Sequence, residues 1–93
     1  MSTQEWINEE EEIDVLDEVL NESSLVVHND DLNTFDWVIK ALIEICEHST
    51  EQAEQCTIIV HYKGKCAVKS GSFDHLKPMK DGLSDRGIGA TIE

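Results

Sequence analysis

An amide and two carboxylates stand side by side at Asn29-Asp30-Asp31, and His61 lies about thirty residues downstream. An Asp brings a carboxylate, an Asn an amide oxygen, and a neutral His one ring-nitrogen acceptor. Three such acceptors suit a free ammonium group, which offers three donors. The same residues also have a plain structural use. Asn-Asp-Asp before a helix is ordinary turn composition, and a histidine near a helix C-terminus can bond the last carbonyls. Spacing alone leaves both uses open. His28, His48 and His75 fall on unrelated stretches and are expected at the surface. No metal-ligand spacing recurs, so neither a metal site nor a cofactor is expected. Cys56 and His61 are five apart, about 140° around a helix, and would not face each other. Cys56 also lies on an apolar face, where a small core thiol is the usual occupant. No glycine-rich phosphate loop is present. These points argue against nucleophilic or phosphoryl chemistry, so no catalytic residue is assigned.

The elements that would carry these residues follow from periodicity. "SLVVHN" (24–29) is a short β-branched strand candidate. Asn33 or Thr34 can cap the next helix, with Asp36 early, where the helix dipole favours negative charge. Phe35, Val38, Ile39, Leu42, Ile45 and Cys46 recur at helical spacing, predicting a helix over 34–47. Ser49 followed by Gln52 has the form of a capping box. It opens a second helix over roughly 50–62, with Ala53, Cys56, Thr57 and Val60 on one face. Lys63-Gly64 stops it. "KCAVKS" is a second strand. A third helix is expected over 73–85, with Leu76, Met79 and Leu83 inward. Pro78 belongs in or near its first turn, because it lacks an amide donor. "GIGATIE" closes as a last strand. The order β-α-α-β-α-β predicts a small α+β sandwich with the helices on one face of the sheet. In a helix hairpin of this length, Asn29, Asp30 and His61 can return to the same side. Phe35, Val38, Thr57 and Val60 would then line an apolar pocket beside an ammonium trap. The matching ligand is a free peptide N-terminus with a bulky hydrophobic first side chain.

Composition narrows the setting. Ninety-three residues carry a net charge of -13. Residues 1–23 hold nine acids and no Lys or Arg, leaving 11 acids against 7 bases in residues 24–93. The first segment is therefore expected to be a flexible acidic extension, and 24–93 the folded domain. Ile13, Leu16 and Leu20 recur at helical spacing within the extension. That leaves a transient helix ordered on a partner as its alternative to a solvated tail. Neither segment suits a phosphate backbone, which needs clustered Lys and Arg. No apolar run is long enough to span a membrane, and no secretory signal opens the chain. Three cysteines in no C-x-x-C pair argue against a disulfide framework or structural zinc and for a cytoplasmic protein.

"VVHNDDLNTFDWVIKAL" and "EQAEQCTIIVHYKGKCAV", in this order and spacing, resemble the ClpS family, adaptors of ATP-dependent Clp proteases. The shared pattern is an Asn-Asp-Asp turn, two helices, then Val60-His61 leading into Gly64-Lys65. The resemblance covers about residues 24–93. It implies a three-stranded antiparallel sheet with three helices packed on one face, similar to the ribosomal stalk protein C-terminal domain. It further implies an adaptor that binds N-degrons and delivers them, as a monomer, to the N-terminal domain of an AAA+ Clp unfoldase. Carried over, Asn29, Asp30 and His61 would bind the α-amino group. Phe35, Val38, Thr57, Val60 and Ile88 would line the side-chain pocket, with Asp31 and Asn33 on its rim. Asp74 and Lys77 would take part in docking to the unfoldase. Three positions depart from the family pattern. Phe35 and Thr57 stand where Met is common, and Asn33 where Thr is frequent. Two other functions compete: an interaction module of the same fold with another partner, and a small Cys/His hydrolase.

Overall fold

Strand alternation in "SSLVVH" sends Leu25 and Val27 to one side and Val26 to the other. In the computed structural model, which describes residues 22–93, this stretch is β1, Ser23–His28. Apart from its last two positions, the expected acidic extension lies outside the described residues, as does the helical spacing of Ile13, Leu16 and Leu20. The order is β1, α1 (Phe35–Cys46), α2 (Thr50–Lys63), β2 (Lys65–Gly71), α3 (Phe73–Asp85) and β3 (Ala90–Ile92). β1 is the middle strand of a three-stranded antiparallel sheet ordered β2-β1-β3. Leu25 and Val27 join Val38, Leu42 and Cys46 of α1, Ala53 and Val60 of α2, and Leu76 and Leu83 of α3 in one core. The helices therefore cover the sheet face from which Leu25 and Val27 project, as expected for an α+β sandwich.

Caps fix the helix starts. Thr34 takes the α1 cap, its hydroxyl accepting from Trp37 N at 3.1 Å. Asn33, the other candidate, is used elsewhere. Ser49 caps α2 through Gln52 N, and Ser72 caps α3 through His75 N. Gly64 (φ 92°) ends α2 in the left-handed region, as a glycine allows without a Cβ penalty.

Three expectations change. Pro78 is the sixth residue of α3, in its second turn, so α3 forgoes the bond its amide would have made to Asp74 O. Packing of Leu76 and Leu83, both fully buried, holds the helix through that loss. His48 is not a surface residue. It is buried, with Nε2 2.7 Å from the Val68 carbonyl, and since that carbonyl only accepts, Nε2 carries the proton. Cys56, half-buried, packs against the core from the α2 face that carries Ala53, Thr57 and Val60, as expected of a small thiol there. The last strand is three residues long rather than seven. Its ladder nonetheless continues on both sides, through paired Ser24–Glu93 backbone bonds of 2.8 Å and His28 N to Gly89 O at 2.9 Å.

Candidate functional site

The ends of β1 and α2 are brought together by the backbone. The β1–β2 register places His28 opposite Lys65, and the next amide, Asn29 N, donates to Gly64 O at 2.9 Å. Gly64 N in turn donates to Val60 O. The residue that starts the polar turn is therefore bonded to the cap of the helix that carries His61. A cavity of about 260 Å³ opens here. Asn29, Asp30, Asp31 and Asn33 form its polar side. Phe35 and Val38 from α1 and Thr57 and Val60 from α2 form its apolar side, with His61 beside them. Thr34, not anticipated as a lining residue, completes the wall. Ile88, 2% exposed, lies behind, in a smaller cavity of about 20 Å³ that shares Asn29, Asp30, Asn33, Val38 and Val60.

Asp30 is ordered by its own turn. Oδ1 accepts from Leu32 N at 2.9 Å and from Asn33 N at 3.0 Å, and Oδ2 accepts from Asn33 Nδ2 at 2.7 Å. The Leu32 amide, then those of Asn33, hold the carboxyl below its ordinary range, against the opposing effect of burial. Of about four lone-pair sites on a carboxylate, one on Oδ2 is left for a ligand. His61 is set edge-on to Phe35, ring centroids 5.1 Å apart, and to Tyr62 at 5.0 Å. Phe35 stays 42% exposed, at the mouth. Thr57 is 3% exposed, and its hydroxyl donates to Ala53 O at 2.8 Å. Its hydrogen is thus spent inside the helix, and the wall it forms is not an added donor. The arrangement can hold one cation at the polar side while an attached apolar group enters between α1 and α2.

Asp74 and Lys77 lie away from this cavity on α3, both exposed, with Lys77 paired to Asp81 at 2.7 Å. Lys77 also borders a separate groove with Phe73, Lys80, Thr91 and Ile92. Sequence reasoning missed the partners that steady the cavity from the α3–β3 turn. Trp37 Nε1 donates to Arg86 O at 3.0 Å, and Arg86 pairs with Glu44 at 2.8 Å. The one available signal was Trp37 itself, whose indole N–H is a donor in want of an acceptor; its spacing does not name one.

A family model described as ATP-dependent Clp protease adaptor protein ClpS matches residues 20–89. Two curated relatives carry the name ATP-dependent Clp protease adapter protein ClpS. The one from Streptomyces coelicolor is 28% identical over 68 residues, 73% of this chain and 71% of its own length. The one from Streptomyces avermitilis is 26% identical over 68 residues, 73% of this chain and 65% of its own length.

Proposed function

Because this chain belongs to the ClpS family of ATP-dependent Clp protease adaptor proteins, we propose that it captures N-degron proteins, by a free α-amino group and a bulky hydrophobic first residue, and delivers them to the N-terminal domain of an AAA+ Clp unfoldase. One observation carries this reading. A single cavity has a charged, pre-ordered carboxylate with a free lone pair on one side and an apolar slot between two helices on the other. Asp30, Asn29 and His61 take the ammonium. Phe35, Val38, Thr57 and Val60 take the side chain, with Ile88 supporting them from behind and Asp31 and Asn33 at the rim. Asp74 and Lys77 contribute to docking, and residues 1–23 to delivery. In this reading the protein works as a monomer in the cytoplasm and does no covalent chemistry. Consistent with that, burial first, then the neighbouring Cys66, pushes the Cys56 thiol up to about 11, the reverse of an activated nucleophile. No helix among the described residues is long and apolar enough to cross a membrane.

The deciding experiment is a binding titration with fluorescent peptides that begin with Leu or Phe. Free-amino peptides bind, and N-acetylated versions lose that binding. Equal affinity for both would end the ammonium reading and leave an interaction module of the same fold with another partner. His61→Phe, which keeps an aromatic ring but offers no acceptor, weakens binding of the free-amino peptide. An unchanged affinity in that variant would remove His61 from the amino site.

A further inference from the structure

We propose that Asn33 is the positioning residue of this site: its side-chain amide bridges the Asp30 carboxylate and the Gly87 carbonyl, so that the turn ending α3 aims the charge at the cavity mouth. The inference rests on the reading that Asp30 meets an α-amino group. Asn33 Nδ2 donates to Asp30 Oδ2 at 2.7 Å and to Gly87 O at 2.9 Å, fifty-four residues along the chain. Both partners are pure acceptors, so only the orientation with nitrogen facing them satisfies the pair, and both amide hydrogens are spent. The two backbone bonds to Oδ1 leave Oδ2 free to swing as the carboxylate turns. Asn33 removes that freedom.

The far end of the bridge is itself fixed. Gly87 N donates to Ser84 O and Ile88 N to Leu83 O, each at 3.0 Å, with Gly87 at φ 79°. These are the two bonds of a Schellman turn, which needs the left-handed residue that glycine supplies. The same turn is bolted to α1 by Trp37 Nε1 on the Arg86 carbonyl and by Arg86 on Glu44. The Gly87 carbonyl is therefore a rigid stop, and Asn33 transmits its position to Asp30. A residue with one donor, such as Thr, cannot make both bonds at once.

The test is Asn33→Ala, read first without peptide. Asp30 is titrated by carboxyl NMR in the parent and variant proteins. The other titratable side chains lining the cavities around it are Asp31 in the turn, His61 on α2 and His28 at the end of β1, and the Arg86–Glu44 pair adjoins Gly87. They are the same in both proteins and cancel in the comparison. Removing one donor to the charged form is expected to move the Asp30 titration upward, and the acid limb of peptide binding rises with it. Affinity for a free-amino Leu or Phe peptide falls about tenfold, while the urea midpoint confirms a folded protein. An unchanged Asp30 titration overturns the proposal, even where peptide affinity drops. If the parent protein does not prefer a free amino terminus, the adaptor reading fails, yet the Asp30 titration still reports on the bridge. Should Asn33→Ala not fold, Asn33→Val, which also lacks a donor, is read by the same titration.

Discussion

Asp30→Ala lowers the affinity for a free-amino Leu or Phe peptide by about 10- to 150-fold, the equivalent of about 1.5–3 kcal/mol for a hydrogen bond to a charged group. The size follows from the geometry. Asp30 is a carboxylate held below its ordinary range and already ordered, so it has little freedom left to lose on binding. Alanine also strips the acceptor from the Leu32 and Asn33 amides, which would loosen the turn. Asp30→Asn narrows this down, because its amide oxygen can still accept the two backbone bonds made at Oδ1, while the charge and the acceptor for Asn33 Nδ2 are gone. Titration of both variants by fluorescence anisotropy, with the acetylated peptide as baseline, reads the result. Parent-like binding by Asp30→Asn would show that the charge is not what holds the ligand.

Leu42→Ala is expected to have the largest effect on stability, a loss of about 2–5 kcal/mol in unfolding free energy. Leu42 is fully buried on α1, in the core with Leu25 and Val27 of the middle strand. Its backbone carbonyl also receives the amides of Glu47 and His48 where α1 ends. Single domains hold about 5–15 kcal/mol in total, and small ones have modest cores, so this change alone could unfold much of the population. Urea denaturation followed by far-ultraviolet circular dichroism measures it. Lys40→Ala, exposed on the same helix, is the control and should stay within about 0.5 kcal/mol of the parent. A similar small loss for Leu42→Ala would mean that α1 does not pack on the sheet as described.

Much of this architecture was legible because the buried stripes keep their periods. Val38, Leu42 and Cys46 mark α1, and Leu76 and Leu83 mark α3. Ser49 and Gly64 bracket α2 by capping chemistry alone. Pro78 shows the limit of local rules, since tertiary packing carries a helix through a position that backbone chemistry disfavours. His48 shows another. A lone histidine gives no sign that a carbonyl twenty residues away, Val68 O, will receive it inside the core. At the site, the residue types were visible but the reason they meet was not. The Asn29–Gly64 bond depends on strand register, and the contacts of Asn33 and Trp37 with the Arg86-Gly87 turn span about fifty residues. Patterns of a few residues hold no information about such pairs.

The strand order has a consequence for the company this protein keeps. With β1 in the middle, β2 and β3 are both edges among the described residues, and an unpaired edge is a template on which any extended chain can add a strand. If the proposed delivery of polypeptides holds, such an adaptor meets extended chains often. Its edges are poor templates. β3 is only three residues long, and β2 breaks register between Leu25 and Val26 of its partner strand, a bulge that twists the rail. Lys69 on β2 turns inward, its Nζ donating to Cys46 O at 3.0 Å. An extended chain laid along that side would find an irregular border, so that sticking along the sheet is discouraged.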